Sequence, residues 1–289
     1  MKYTKDDIIV LEGEDLRRYQ EEVLKIAKDV VKVLDEEGIA YSLSGGSVLG
    51  AVRHKGFIPW DDDIDLNMPR KDYDRMCAIF DEKLGDRYYL QTPDKYPELG
   101  LMVTQIRKKG TVARRKYDWN VEECGISIDL YIMENTFDNP FLRALQAGMS
   151  MGLSYAVSAV RAVRNSDLPQ ELQELEAREI NYARSKQALG RLLGRIPLKK
   201  WIAWTQYWNA LCKDEHSSLV AIPTGRKHFV GELYRRSDMC EFKDAPFEDT
   251  TFKIPVRARG FLSKFYGNYM EVPPPEKRER HVFLELKYK

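Results

Sequence analysis

The apolar positions of this chain change their period several times, and each change marks an element. Between Glu14 and Glu37, Val23, Ala27, Val30, Val31 and Leu34 recur at helical spacing, which predicts an amphipathic helix with its stripe turned to a core. Ile39 to Leu43 then reads as a short strand, Ser44 to Ser47 as a tight turn, and Val48 to Lys55 as a short helix capped by Gly56. A helix near Lys71 to Lys83 follows. Tyr88 to Gln91, Leu101 to Arg107, Thr111 to Arg115 and Ile126 to Ile132 are expected as strands of one mixed sheet. From about Pro140 to Glu215 the pattern is helical throughout, and strand signals return at Leu219 to Ile222 and Thr251 to Ile254. These elements predict an α+β fold with a mixed-sheet core over 1–139, a helical insertion over 140–215 and a C-terminal return over 216–289 that completes the core. Pro273 to Pro275 and the basic run after them read as a rigid exit.

The polar positions within the strands carry the chemistry. In the stretch Ser44 to Arg70, Asp61, Asp63 and Asp65 fall on alternate positions, Ile64 and Leu66 alternate with the last two, and Pro59 and Pro69 bracket the run. A solvated acidic loop has no reason to alternate, whereas a half-buried strand with one carboxylate face does. Like charges side by side are costly unless a cation neutralises them, so Asp63 and Asp65 read as ligands of a hard metal ion. From Gly125 to Met133, Ile126, Ile128, Leu130 and Ile132 fill one face and Ser127, Asp129 and Tyr131 the other. Alone, Asp129 is a satisfied buried carboxylate; beside Asp63 and Asp65 it becomes the third member of a site that aligns a phosphoryl group.

The glycines ahead of the aspartates fit the same chemistry. Gly45 and Gly46 let backbone N–H groups approach a phosphate, and the Ser47 hydroxyl adds a donor at the start of the helix. A Walker A loop is excluded, because Ala51 and Val52 stand where Lys and Ser or Thr are required. Arg53, His54 and Lys55 close that helix, either as partners of its dipole or as countercharge to phosphate.

The string GGSVLGAVRHKGFIPWDDDIDLNMPRKDYDRM closely resembles the LicD family, whose members move phosphocholine or related phospho-alcohols from a CDP-activated donor to glycans. Fukutin and fukutin-related protein are similar. The resemblance implies a polymerase-beta-like nucleotidyltransferase core with its Gly-Ser turn at Gly46 and Ser47, its paired aspartates at Asp63 and Asp65, and its third at Asp129. FYGNYMEVPPPEKRERH carries the same resemblance through Tyr266, Gly267, Tyr269, Pro273, Pro274, Arg278 and His281, with Asn268 where the family commonly has Asp. It further implies a transferase of phosphorus-containing groups that uses Mg²⁺ or Mn²⁺ on Asp63, Asp65 and Asp129, the last serving as ligand or base. Gly46, Ser47, Arg53, His54, Lys55, Arg226 and Lys227 would face the nucleotide and phosphates. For a choline donor, Trp60, Tyr117 and Trp119 are the aromatic residues expected around the quaternary ammonium. The partners so implied are a CDP-activated donor and a glycan or lipid-linked glycan acceptor, as in lipopolysaccharide or teichoic acid modification. Two rivals stand against this. A glycosyltransferase of the Asp-x-Asp kind would not need the Gly-Gly-Ser turn or Asp129, and a non-catalytic protein on the same fold would be expected to have lost one of Ser47, Asp63, Asp65 or Asp129, all of which are present.

Composition sets outer bounds. A chain of 289 residues with 43% hydrophobic content buries a full core, as one domain with an insertion or as two. A net charge of +1 gives no support to nucleic acid as a partner. Cys77, Cys124, Cys212 and Cys240 are widely spread with no C-x-x-C pair, which reads as reduced thiols of a cytoplasmic protein. No apolar signal region opens the chain and no run of about 18 apolar residues occurs, so it is expected to be soluble or peripheral at the inner face of a membrane. Within Arg191 to Lys213, Trp201, Trp204 and Trp208 share a helical face behind Arg195, Lys199 and Lys200. That stripe is either plain core or an interfacial helix. The uncharged stretch Ala144 to Val160 reads as a buried helix packed beneath it, or as a shoulder for a lipid-linked acceptor.

Overall fold

The computed structural model describes residues 7–164 and 180–288. Helix α1, Gly13–Glu36, buries Tyr19, Val23, Ile26, Ala27, Val30 and Leu34 along one side. The stripe is the predicted one, with the helix starting one residue early.

The main sheet runs β2 (Ser42–Leu43), β3 (Asp65–Pro69), β7 (Ser127–Asn135), β5 (Thr104–Lys108), β4 (Tyr88–Gln91) in that spatial order. Strands β3 and β7 are parallel and the other neighbours antiparallel. Strand β8 (Leu219–Ala221) pairs with the far end of β7, and β9 (Leu233–Arg235) pairs with β8. Leu66, Met68, Ile106, Ile128 and Leu130, none more than 1% exposed, supply its apolar filling. Helix α3 (Arg70–Lys83) follows directly on β3. The sheet is therefore mixed and the fold α+β, as expected.

Several local expectations are corrected. Strand β6 (Val112–Arg114) lies outside the main sheet and pairs with β13 (Glu285–Lys287). Both edges of β5 and of β7 are already occupied by neighbours, so β6 finds its partner in the returning C-terminus. Likewise β1 (Ile9–Val10) pairs with β12 (Val282–Phe283). The Gly-Gly-Ser triplet is the first turn of helix α2 (Gly45–Arg53) rather than a turn ahead of it. Gly45, at φ +44°, lets the chain reverse out of the two-residue β2 straight into the helix. At the other end the left-handed residue is Lys55, at φ +57°, and not Gly56. Gly56 is small for another reason: a Cβ there would lie 2.3 Å from Glu248 Oε1, the oxygen that accepts the Phe57 N–H. Asp63 precedes β3 rather than sitting in it, although the alternation persists, with Asp62 and Ile64 buried and Asp61, Asp63 and Asp65 half-buried.

The described residues between β7 and β8 form α4 (Pro140–Arg164), α5 (Ile180–Leu193) and α6 (Leu198–Asn209), and α4 packs on both of the others. Beyond it come short helical turns at 228–231 and 236–239, a hairpin of β10 (Phe242–Phe247) and β11 (Thr250–Pro255), and helix α7 (Ala258–Tyr266). The tryptophan face of α6 is neither all core nor all surface. Trp201 and Trp208 are half-buried, the Trp201 indole N–H donates to the Leu193 carbonyl at 3.1 Å, and Trp204 is 43% exposed. Among the described residues no helix is long and apolar enough to cross a membrane, and all four cysteines are free.

Candidate functional site

The site forms where β3 and β7 begin. Asp65 and Asp129 are direct partners in the parallel register, so their side chains stand next to each other on one face of the sheet. Helix α2 is fastened to the same spot, since the Ser44 N–H donates to the Asp65 carbonyl at 2.8 Å and the Asp65 N–H donates to Ser47 Oγ at 2.9 Å. A Cβ on Gly46 would come within 2.9 Å of Asp61 Oδ2, and one on Gly45 within 3.5 Å of Asp65 Oδ2. The two glycines thus allow carboxylates to lie against the positive end of the α2 dipole.

Electrostatics divide the four aspartates of the loop. Burial, and then the charges of its neighbours Asp63 and Asp62, push Asp61 well above the usual carboxylate range; Asp65 rises likewise through burial, Asp63 and Asp129. Asp63 is raised too, by burial, against the opposing charge of His281. Asp62 goes the other way. Burial would raise it, but the hydrogen bond and charge of His281 bring it below its ordinary value. His281 Nδ1 lies 2.5 Å from Asp62 Oδ1 and 3.7 Å from Asp63 Oδ2. Arg115 and burial push the imidazole down, yet the bond to Asp62 and the charges of Asp62 and Asp63 raise it to about 9.

These residues suit a metal ion. Asp62, Asp63 and His281 offer ligand atoms that all lie within 4.8 Å of one another. A protonated His281 held by Asp62 is a counterion rather than a ligand, however, and with Arg115 it offsets only part of the charge of the neighbouring carboxylates, so that Asp61, Asp63 and Asp65 stay raised. Among the described residues the Oδ1 atom of Asp65 is buried with no hydrogen-bond partner, as are both amide atoms of Asn67, two residues further along the same face. An orphaned carboxylate oxygen among crowded acids is a donor set short of a positive charge, and its hard oxygens fit Mg²⁺ or Mn²⁺ better than a soft metal.

Asp129 is supported from behind by a network the sequence reading did not find. Gln105 Nε2 donates to Asp129 Oδ1 at 2.7 Å and reaches the Tyr117 hydroxyl at 3.2 Å. Gln105 Oε1 accepts from Gln91 at 2.9 Å and from Arg107 at 2.7 Å, which fixes the amide with its NH₂ toward Asp129. Arg107 in turn holds both oxygens of Asp118 at 3.0 Å. A signal was present, because Gln105 and Arg107 alternate with buried Ile106 in a predicted strand.

The other expected contacts are distributed unevenly. Arg53 donates to the Tyr269 and Glu271 carbonyls and to His54, so it holds the C-terminal return. Burial lowers His54, which meets Trp60 edge-on. Lys55 is exposed. Arg226 pairs with Glu279 at 2.6 Å, and Lys227 Nζ caps the Lys264 and Phe265 carbonyls at the end of α7. Trp60 carries the Arg278 guanidinium 4.2 Å above its ring, and Trp119 packs with Leu284 and Ile8; of the three cage candidates, Tyr117 is the one tied to Asp129 through Gln105. Sequence reasoning also passed over Arg115 as a site residue. Its guanidinium lies 5.5 Å from the Phe283 ring and acts as a positive charge on Asp62, Asp63 and Asp65.

A Gly-Ser helix start set against paired carboxylates, with a third acid on the adjacent parallel strand, defines a nucleotidyltransferase-like centre. Residues 38–137 match the LicD/FKTN/FKRP nucleotidyltransferase domain. It is 23% identical over 275 residues to the lipopolysaccharide cholinephosphotransferase LicD of Haemophilus influenzae, covering 93% of this chain and 97% of that protein. It is also 52% identical over 46 residues to human ribitol 5-phosphate transferase FKRP, a match to 16% of this chain and 9% of that one.

Proposed function

We propose that this protein transfers a phospho-alcohol, phosphocholine in the first place, from a CDP-activated donor to a hydroxyl of a glycan or lipid-linked glycan, releasing CMP. The observation that carries this reading is the carboxylate set of Asp63, Asp65 and Asp129 with its orphaned Asp65 oxygen. Near full-length similarity to a cholinephosphotransferase supports the choice of phosphocholine.

Asp63, Asp65 and Asp129 would hold Mg²⁺ or Mn²⁺, whose charge when bound offsets that of the donor diphosphate and of the leaving CMP. The acceptor oxygen attacks the phosphorus that bears the alcohol, forming a new P–O bond as the bond from that phosphorus to CMP breaks. CMP departs with the electron pair, and the hydroxyl proton passes to a carboxylate or to water. Gln105 orients Asp129 by donating to its Oδ1, leaving Oδ2 to take a place among the ligands or to accept that proton. The first turn of α2 presents N–H groups to a phosphate, and Ser47 keeps its hydroxyl hydrogen for the same purpose because its oxygen accepts the Asp65 N–H. Arg115 adds fixed positive charge. Trp60 already takes a cation on its face in Arg278, which is the interaction a quaternary ammonium uses.

Incubation with Mg²⁺ and each of CDP-choline, CDP-ribitol, CDP-glycerol and UDP-sugars, following CMP or UDP release, tests the reading. Metal-dependent CMP release from CDP-choline is expected. UDP release would favour the glycosyltransferase, and release of neither nucleotide would favour a non-catalytic role.

A further inference from the structure

Helix α4 is apolar on both sides. No charged residue lies between Ala144 and Val160, and its buried side sets Gln146 and Ser150 among Ala147, Ala156, Val157, Ala159 and Val160. Gln146 and Ser150 are buried, with the Gln146 amide donating to the Asn135 and Asn209 carbonyls at 3.1 Å and Ser150 Oγ to Asn209 Oδ1 at 2.5 Å. The outward side is apolar. Phe141 is 76% exposed, Leu145 47%, Met149 36%, Met151 39% and Tyr155 40%. Between them, a Cβ on Gly148 or Gly152 would meet nothing within 4 Å, so no described part of the chain covers this face. A surface helix in water turns polar residues outward, and a continuous apolar patch on a soluble surface marks a contact.

The charge of the surrounding helices points to the occupant. Residues 140–164 carry three Lys or Arg and residues 180–213 carry seven, with no Asp or Glu in either stretch, in a chain whose net charge is only +1. The acids of the stretch 140–215 lie at 165–179, outside the described residues, and at Asp214 and Glu215 at its far end. Arg191, Arg195, Lys199 and Lys200 are exposed, and on α6 Trp204 and Tyr207 are 43% and 63% exposed. A protein partner would account for the apolar face alone. An anionic bilayer accounts for both features, because apolar side chains enter the acyl boundary, Trp and Tyr settle among headgroups, and basic residues meet lipid phosphates. We propose that the outward face of α4, flanked by the exposed side of α6, docks on the surface of an anionic lipid bilayer. Docking of this kind would deliver a lipid-linked acceptor, but it is read without donor or acceptor. It therefore stands or fails separately from the transfer reaction.

The test is co-sedimentation of the full chain with phosphatidylcholine vesicles and with vesicles containing phosphatidylglycerol, from about 0.05 M to about 0.5 M salt, alongside light scattering to give the oligomeric state. Expected is binding that requires the anionic lipid and weakens as salt rises. The double variant Leu145→Glu/Met149→Glu should lower partitioning by at least about tenfold with an unchanged melt, since both side chains are already exposed. Lys199→Gln and Lys200→Gln should each lower it by about fivefold. Equal binding to neutral vesicles, no binding to either, or parental binding by the glutamate variant would overturn the proposal. So would a dimer that the glutamate variant converts to a monomer, which would assign the face to a second copy of the chain.

Discussion

Arg107 with Asp118, and Asp61 with Asp63 and Asp65, are two clusters of charge withdrawn from water, and they are resolved in opposite ways. Arg107 and Asp118 are 1% and 0% exposed and joined by two 3.0 Å bonds, with further guanidinium bonds to Gln105 and the Gly125 carbonyl. In the other cluster three acids are driven upward by burial and by neighbouring negative charge, and one Asp65 oxygen has no partner among the described residues. A buried charge whose counterion is in the chain serves the fold, because removing either half strands the other. A buried charge whose counterion is missing is held for something that arrives from solution. The contrast supports the proposal that the chemistry lies at β3 and β7, with Arg107 and Asp118 in its support.

If that contrast is right, neutralising a carboxylate in one cluster should do the reverse of neutralising one in the other. Asp65→Asn should lower transfer by roughly 10³-fold or more by removing metal-held charge stabilisation, while its metal-free urea midpoint stays level or rises as repulsion is relieved. Asp118→Asn or Arg107→Met should instead cost about 3–5 kcal/mol in urea unfolding, the amount expected when half of a buried pair is removed. An unchanged midpoint for Asp118→Asn would erase the distinction between the clusters.

Gln105 links the two, and its substitution sharpens the comparison. Gln105→Leu should reduce metal affinity or turnover by about 10–100-fold by freeing Asp129. A loss confined to stability, with metal affinity and kcat intact in the folded fraction, would make Gln105 part of the Arg107 cluster only.

Glu232 shows what a single buried acid does when nearby cations offset its burial only in part. Burial raises it to about 7, against the Lys227 N–H bond and the Lys227 and Lys264 charges. The folded value thus lies above the unfolded one near 4.5. The cost of ionising it in the fold is absent below about pH 4.5, grows as pH rises, and is complete above about pH 7. Glu232→Gln should therefore stabilise the protein by about 1–2 kcal/mol at pH 8 relative to parent and not at pH 4.5, as thermal melts at the two pH values will show.

Much of the centre was legible because a period of two leaves a trace. Asp65 and Asp129 alternate with Leu66 and Leu130, and the register sets the two acids side by side. Their supporters Gln105 and Arg107 obey the same period, but nothing local told which polar residue on a strand faces a partner. The Asp62 and His281 contact joins residues 219 positions apart, brought together by two- and three-residue strands too short to show any period. The Gly-Gly-Ser stretch was read as a turn because glycine usually signals one, whereas here only Gly45 turns and the helix starts at once. In α4 the uncharged run suggested burial, and apolarity alone does not say which side of a helix is covered.

The central claim is that Asp65 and its neighbours await a divalent cation. Thermal melts of the parent and Asp65→Asn across a Mg²⁺ or Mn²⁺ titration, with CDP-choline present and absent, test it most directly. The account predicts that the parent melts progressively higher as metal is added, and higher again with the donor, in keeping with ligand linkage. Asp65→Asn should start level with or above the metal-free parent and respond to neither. A variant that gains stability from metal and donor as the parent does would contradict the assignment of this centre.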